Sequence, residues 1–588
     1  MNKRFETIKQ MLSKHRIFIL KALVLSLIAT IYLNRAGYEF EKYPYIEGDG
    51  FEYALMTESF YNHFSPDLQL QDALSFKYNI SDWYKMEEFP KKEYLDGVGW
   101  NLSQTKHIFK ENINGFFYSK QGKFYCYHYY TYSLFCLPAR IIGEWAGSPI
   151  LHTFYKTNAL LVIVTCLILL FYFSENLYIS IFSALCFCFS SCYWYLGWEH
   201  TEIFSTCLVI WGMVFFLRGK RLLGLFFIAI ATSQTQTLML LLAFLAAWAV
   251  WDKKFNIKYM LYTFLACFVA ACPLIFYYYH FGTTNLIKDL GFLDNKYITG
   301  TRLFGFYFDL NQGMILAMPL MLISYIVLYF NSLIKNIKTL KFHFALPFVC
   351  ICMTIIASSM GNWNPGQTIV HRYTTWIGAI VFVHTFYLLE EVKGDRRLFL
   401  LTNFMWTQII VCFYFQTINR FDWEPSDQKD VAIWVLDNYP EFYNPDPVIF
   451  AFRTDHSSVF GDPKDPVFYF NRDRKIRKVM FSKENLWGLR KYCKDSCDVS
   501  KFASYSDDYS WGYMKTKDLK WLKADDVIYA LVRRKKIELV KIQLLNTRPP
   551  EWMVEIKKQA ADLKKTVDEV LNIHADYLVG LEEKAKFN

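Results

Sequence analysis

Apolar residues run in long blocks as far as about residue 418 and are interspersed with polar ones after it. A helix that crosses a bilayer needs roughly 20 predominantly apolar residues. Blocks approaching that size recur at 17–33, 157–173, 177–196, 203–217, 222–234, 237–251, 259–279, 313–330, 342–358, 374–390 and 398–418. The pattern predicts a polytopic α-helical membrane domain over residues 1–418, with about eleven transmembrane helices. A soluble α/β or α+β domain is expected over 419–588. The first block, IFILKALVLSLIATIYL, follows a basic stretch and is succeeded by Asn34-Arg35 rather than a small-residue cleavage site. It therefore reads as a retained first span and not as a signal peptide.

The loops between blocks alternate in charge. On the side of the basic N-terminus (Lys3, Arg4, Lys9, Lys14, Arg16) lie 174–176, RGKR at 218–221, DKKFNIK at 252–258, NSLIKNIKTLK at 331–341 and EVKGDRR at 391–397. The opposite set, 34–156, 197–202, 235–236, 280–312 and 359–373, carries acids, His and aromatics with few clustered cations. Cytoplasmic loops are the ones enriched in Lys and Arg, so the N-terminus is expected in the cytoplasm. An odd number of spans then puts the soluble domain outside, with the long first loop. Within that loop the stretches 51–64 and 130–143 are weakly apolar and helical in period, the signature of helices lying along a membrane surface.

In the soluble part, Ser426 and Asp427 precede VAIWVLDNY, which stops at Pro440 and reads as a capped helix. Runs at 447–453, 466–470 and 526–532 read as strands. After Pro549-Pro550 a long helix is expected, carrying a stripe of Met553, Ile556, Ala560, Leu563, Val567, Val570, His574, Tyr577 and Leu581 at alternating three- and four-residue steps. The stripe needs a partner surface, which its own domain is expected to supply.

Composition adds restrictions. The net charge of +10 sits in short clusters between apolar blocks, a topology signal that gives no reason to expect nucleic acid as a partner. Most of the 14 cysteines lie inside apolar blocks, where they act as small hydrophobes. Cys493 and Cys497 lie in the soluble part, where their spacing permits a local disulfide or nothing.

The candidate chemistry begins at Glu47-Gly48-Asp49-Gly50, just past the first span. Spacing alone reads first as a solvated Asp-Gly turn. The same position, at headgroup height and flanked by glycines that admit close approach, also suits a general base. Arg372, preceded by His371, lies in an outer loop just before a span, with Arg302 and Lys296 in the preceding outer loop. Such cations bind phosphate, and also snorkel at helix ends. His128 and Tyr129 sit in an aromatic run, Tyr125 to Tyr132, that reads as an interfacial belt or as a substrate contact. Glu199, His200 and Glu202 share a short outer loop. No close His and carboxylate cluster has metal-ligand spacing, so no metal or other cofactor is expected. A divalent cation held between Asp49, another loop acid and a phosphate is compatible with the pattern.

Resemblance sharpens this reading. The run YPYIEGDGFEYALMTESF after a first apolar helix resembles the start of GT-C superfamily glycosyltransferases, which include the aminoarabinose transferases of lipid A and the protein O-mannosyltransferases. NGFFYSKQGKFYCYHYYTYSLFCLP, FDLNQGMILAMP and GNWNPGQTIVHRY resemble, in order, later segments of that superfamily. Together the matches extend over most of 17–418. One departure is the missing Pro-Gly of the second segment, where Tyr125 to Tyr130 stand instead. The resemblance implies an inverting enzyme of the bacterial plasma membrane that works on its outer face with a polyprenyl-phosphate sugar donor. The acceptor would be an envelope glycan, a lipid or a protein. Asp49 would be the base, and Arg372, His371, Arg302 and Lys296 donor-phosphate residues. Glu47, His128, Tyr129, Glu199, His200 and Glu202 would line the substrate, and membrane lipids would surround the domain. A transporter and a non-catalytic scaffold are the alternatives. A transporter should show ionisable residues in mid-span, and none stands out in the sequence.

Overall fold

A computed structural model describes residues 2–42, 49–69, 71–72, 75, 115–335, 341–361, 363, 370–416, 427–456, 466–482, 489, 492, 504–508, 511–522 and 524–587. The protein is mostly helical. Two compact units divide it: Met1–Lys429 with Ser458–Gly461, and Asp430–Ser457 with Asp462–Asn588. The boundary lies beyond the expected residue 418, because Gln428 and Lys429 are tied to the first unit. Asn311 Nδ2 donates to Gln428 Oε1 at 2.8 Å, and Lys429 Nζ donates to Asn311 O at 2.6 Å.

The first unit begins with helix α1 (Asn2–Lys42), α2 (Gly50–His63), strands β1 (Phe116–Tyr118) and β2 (Phe124–Cys126), and α3 (Thr131–Trp145). There follow α4 (Leu151–Ile168), α5 (Leu177–Cys188), α6 (Glu202–Leu217), α7 (Arg221–Gln234), α8 (Met239–Asp252) and α9 (Ile257–Phe281). The unit closes with α10 (Gly300–Phe308), α11 (Pro319–Lys335), α12 (Lys341–Ala357), α13 (Thr374–Leu388) and α14 (Asp395–Gln416).

Each of the expected apolar segments contains helix, but the one expected over 177–196 ends at Cys188 and the one over 313–330 is interrupted at Met318. Among the described residues four stretches, His15–Tyr38, Leu151–Phe173, Ile257–Phe281 and Asp395–Phe415, are long and apolar enough to cross a membrane. Seven further apolar helices among the described residues are 10–17 residues long.

Where apolar helices lie in lipid the hydrophobic drive between them is weak, and small residues and polar contacts set the fit. Helix α6 crosses α7 where two glycines face: a Cβ on Gly224 would stand 2.7 Å from Gly212 O and 2.9 Å from Phe216 Cβ. Polar bridges pin other pairs. Tyr32 Oη donates to Cys188 O at 2.7 Å, Trp211 Nε1 to Thr165 Oγ1 at 2.7 Å, and Gln408 Nε2 to Ala317 O at 2.8 Å.

The described part of the first loop is built on α2. Both expected helices are present, but α2 is buried from Gly50 to Phe60 all round its axis, so it is a packed element and not one laid on a surface. The reason is polar: Glu58 takes the buried Arg140 of α3, and Asp72 accepts from Ser59, Asn62, His63 and Gln69 N. Helix α3 does keep an exposed apolar edge at Leu134, Phe135, Ile142 and Trp145. Strands β1 and β2 form an antiparallel hairpin, Phe117 opposite Tyr125, around the polar turn at Ser119–Gly122.

The second unit has α15 (Asp430–Asn438), α16 (Pro447–Asp455), an antiparallel sheet of β3 (Val467–Phe470), β4 (Ile476–Ser482), β5 (Ser504–Asp508) and β6 (Trp511–Met514) in the order β3-β4-β6-β5, and α17 (Ala524–Thr547), α18 (Pro550–Asp562) and α19 (Val567–Phe587). Helix α15 and strand β3 match the expectations. Residues 447–453 are helical, not extended, because Asp446 caps Val448 N and Pro447 fits the first turn. Residues 526–532 open α17: Val527, Ala530 and Leu531 recur at helical spacing and pack on the sheet.

The expected long final helix is broken in two. Lys564 adopts φ +52, and Thr566 with Glu569 forms a reciprocal cap, Thr566 N to Glu569 Oε2 at 2.7 Å and Glu569 N to Thr566 Oγ1 at 3.2 Å. The fold-back lets the stripe pack on itself, with Ile556, Ala560, Val570 and Leu571 in one core. His574 Nε2 meets Gln559 Oε1 at 3.0 Å. Ser426, Cys493 and Cys497 lie outside the described residues.

Overpacking the α6–α7 crossing should destabilise the first unit. Gly224→Val is expected to cost about 1–3 kcal/mol, read as a lowered thermal midpoint in detergent. Gly37→Ala, whose Cβ meets nothing within 4 Å, is the neutral control. Equal midpoints for the two variants would contradict the close crossing.

Candidate functional site

Three segments of the first unit converge on Asp49, bringing His128, His200 and Arg372. Asp49 stands at the head of α2, where its carbonyl accepts Glu52 N at 3.2 Å while its side chain makes no capping bond. The carboxylate is thus free for long-range contacts, all of which use Oδ2. His200 Nε2 lies 3.0 Å away, Arg372 Nη1 3.2 Å and His128 Nε2 3.4 Å. The side chain of Asp49 is 26% exposed, the most open of the group.

Each partner is held by its own scaffold. His128 follows β2; Tyr277 Oη, from α9, lies 2.7 Å from Cys126 O and 2.6 Å from His128 O, so its one proton is shared between the two carbonyls. His200 stands just before α6, stacked on Trp198 with ring centroids 4.3 Å apart. The loop before it is tied down by Asn158 Nδ2, which donates to Trp198 O at 3.1 Å. Arg372 precedes α13, and Tyr195 Oη holds that segment by donating to Val370 O at 2.9 Å. The N-termini of α2, α6 and α13, at Gly50, Glu202 and Thr374, therefore share one locale. Helix N-termini favour negative charge.

The electrostatics separate two neighbouring carboxyls. Burial alone would raise the Asp49 carboxyl, but the charge and hydrogen bond of His128, the bond from His200 and the Arg372 charge hold it well below its ordinary value. Glu52, three residues on along α2, is pushed well above the carboxylate range by burial and by the Asp49 charge, against a smaller pull from Cys126. Opposite shifts in adjacent acids are how one site keeps a base beside a proton donor. His200 is raised: burial lowers it, and Glu202 together with the bond to Asp49 outweighs that. Arg372 Nη2 donates to Tyr373 Oη at 3.3 Å, while its buried Nε has no acceptor among the described residues.

The expected residues divide on this geometry. Asp49, Arg372, His128, His200 and Glu202 come together, Glu202 through His200 Nδ1 rather than by touching Asp49. Glu199 is buried beside Tyr132. His371 is next in sequence to the centre, but burial and the charges of Arg372 and Arg302 push it down to about 3. It is a neutral imidazole wedged against Trp363, not a cation for phosphate. Arg302 is fully buried and spends Nη1 on Ser358 O at 3.1 Å and Met360 O at 2.5 Å, sandwiched with Tyr297 and Trp363. It braces a loop. Lys296 pairs with Asp294 at 3.7 Å on the surface. Tyr129 donates to Thr284 O at 3.0 Å inside an apolar cluster with Tyr277 and Phe281. Glu47 lies outside the described residues.

Glu52, Tyr53 and Cys126 belong to the centre without having been expected there. Cys126 Sγ donates to Glu52 Oε2 at 3.5 Å, and Tyr53 stacks on His128 with centroids 5.4 Å apart. The three-residue step from Asp49 to Glu52 on a predicted helix was a readable signal for the first. The donor atoms of Asp49, Glu52 and His128 lie within 4.8 Å of one another, near enough for a cation to bridge. His128 Nε2 stands 3.3 Å from Glu52 Oε2 and 3.4 Å from Asp49 Oδ2, and it makes no hydrogen bond among the described residues.

Compared with known families, curated proteins and solved structures, the chain matches none of them.

Gly115 is where the backbone makes room for this centre. It adopts φ +88, and a Cβ there would stand 2.1 Å from Glu52 Oε1. Gly115→Ala is expected to destabilise by about 1–3 kcal/mol. The loss should shrink when Glu52→Ala is added, because much of the clash is with that side chain. Thermal unfolding of the four proteins checks it; identical losses in both backgrounds would exclude the close approach.

Proposed function

We propose that this protein is a GT-C-like, inverting membrane glycosyltransferase. It moves a sugar from a polyprenyl-phosphate donor to an envelope glycan, lipid or protein acceptor on the outer face of a bacterial plasma membrane. On this reading about eleven helices cross or enter the bilayer, the N-terminus is cytoplasmic and the second unit is extracytoplasmic. What carries the reading is one contact: a carboxylate held ionised, Asp49, lies 3.2 Å from a guanidinium, Arg372, whose Nε–H has no acceptor among the described residues.

The chemistry follows from the atoms. Asp49 Oδ1, which no described side chain engages, accepts the proton of the acceptor hydroxyl. The acceptor oxygen forms its bond to the anomeric carbon as the bond from that carbon to the phosphate oxygen breaks, with inversion. The departing lipid phosphate gains charge, and Arg372 with the three helix N-termini receives it. Glu52, kept protonated, is a hydrogen-bond donor beside the same carbon.

The transporter alternative draws on one observation. His343 Nδ1 meets His384 Nε2 at 3.0 Å and Tyr325 Oη meets His384 Nδ1 at 3.1 Å, a polar chain within apolar helices. Intramembrane ionisable groups of this kind occur in proton relays.

Two outcomes test the proposal. In detergent or proteoliposomes supplied with polyprenyl-phosphate sugars, Asp49→Asn should lower transfer by about 10²–10⁴-fold and Arg372→Ala by about 10²–10³-fold, with folding retained by size exclusion. Mass spectrometry of envelope glycans and glycoproteins, with the wild type and with Asp49→Asn, identifies the acceptor. Wild-type transfer by Asp49→Asn would refute the base and leave a scaffold or transporter. Because Arg372 supplies the cation for the phosphate, transfer should persist in excess chelator; loss restored by a divalent ion would assign that ion to Asp49, Glu52 and His128.

A further inference from the structure

We propose that α15 and the turn after it dock on a lipid bilayer. Trp434, Tyr439 and Phe442 enter the headgroup layer, and Arg472, Arg474 and Lys475 meet anionic lipid there. The inference goes beyond the glycosyltransferase reading and needs only that α14 ends at a membrane.

Three large rings stand out of the second unit together: Trp434 is 58% exposed, Tyr439 49% and Phe442 80%. They adjoin, with centroids 5.6 Å apart between Trp434 and Tyr439 and 6.3 Å between Tyr439 and Phe442. The turn that presents them is braced from beneath. Lys478, buried on β4, donates from Nζ to Pro440 O at 2.6 Å and to Asn444 Oδ1 at 2.7 Å, and lies 4.4 Å from the centre of the Tyr513 ring. Withdrawing an ammonium group from water is costly, and here the cation is committed to fixing that turn. On the neighbouring strand β3, Tyr469 Oη donates to Asp437 Oδ1 of α15 at 2.9 Å. The Tyr469 phenol also feels the charges of Arg472 and Arg477, so the turn between β3 and β4 lies close to α15. Arg472, Arg474 and Lys475 are exposed on that turn, with Asp473 as its acid.

Residue type, tether and ring geometry select a bilayer as the occupant. Trp and Tyr concentrate at the membrane–water interface, and Phe442 adds apolar surface with no polar group of its own. Cations beside them attract anionic headgroups. The tether is short: α14, which is long and apolar enough to cross a membrane, ends at Gln416, and α15 begins at Asp430. A short tether holds such a patch at roughly millimolar effective concentration, so a modest anchor suffices. A sugar would call for a flat ring face flanked by hydrogen-bonding groups. Adjacent rings here are inclined at 58°. The polar side chains between them are turned inward, Asp437 to Tyr469 and Asn438 Nδ2 to Trp434 O at 2.8 Å.

The test uses the full-length protein in nanodiscs, with a single fluorine label, trifluoromethyl-phenylalanine, placed at Phe442. In discs containing phosphatidylglycerol, a nitroxide carried near the lipid headgroup should broaden the ¹⁹F signal, and a water-soluble gadolinium chelate should leave it sharp. Neutralising the basic turn with Arg472→Gln, Arg474→Gln and Lys475→Gln should lower the ratio of docked to free patch about fivefold per cation. Replacing phosphatidylglycerol by phosphatidylcholine should act alike on the wild type and change the neutralised variant little further, with thermal midpoints showing that both proteins stay folded. A signal broadened by the chelate and spared by the lipid nitroxide leaves the patch in water. One spared by both is covered by protein, and one that shifts instead with soluble oligosaccharide marks a sugar site. Each of these overturns the proposal, as does lipid contact indifferent to headgroup charge. None of the readouts involves transfer, so a failure of the glycosyltransferase reading under Asp49→Asn is seen separately.

Discussion

A carboxylate and a guanidinium that are mostly withdrawn from water each lose several kcal/mol of hydration, and their mutual attraction recovers it only with good geometry and further hydrogen bonds. Asp49 and Arg372 meet that condition through His200 and Tyr373, with the His128 ring close by. Every element that brings these groups together is positioned by a separate buried polar bond. Tyr277 holds the hairpin, Asn158 the loop before α6, and Tyr195 the segment before α13. The pair therefore depends on helices far apart in sequence, and disturbing any of them changes how Asp49 is charged.

The centre is neither a finished salt bridge nor an open one. Among the described residues, Asp49 engages its partners through one oxygen, and Arg372 Nε–H has no acceptor. Structural ion pairs tend to use up their donors and acceptors, as Arg140 does between Glu58 and Glu144 in the same unit. The unspent atoms at Asp49 and Arg372 are what a substrate with one hydroxyl and one phosphate would engage.

Much of this was legible in the residues. Apolar blocks located the helices because burial and lipid exposure both demand long apolar runs, and the two glycines around Asp49 together with Arg372 ahead of α13 pointed to the centre. Side-chain commitments were not legible. Arg302 and Arg372 look alike in sequence, yet one is absorbed by the carbonyls of Ser358 and Met360, a pairing fixed by packing between loops. His371 could not be told from a cationic histidine until its burial beside two guanidinium groups was known. In the second unit the errors were local. Asp446-Pro447 and Thr566-x-x-Glu569 are helix starts, and reading the apolar run after each without its cap produced a strand and an unbroken helix.

The claim that Arg372 is shared between Asp49 and a lipid phosphate is tested most directly by titrating a polyprenyl phosphate into the purified protein. Arg372→Gln should weaken binding by about ten- to a hundredfold, because a charge-assisted contact is lost. Asp49→Asn should instead tighten it, since the guanidinium is released and a competing negative charge removed. Binding that neither substitution alters, or that both weaken alike, would contradict the account.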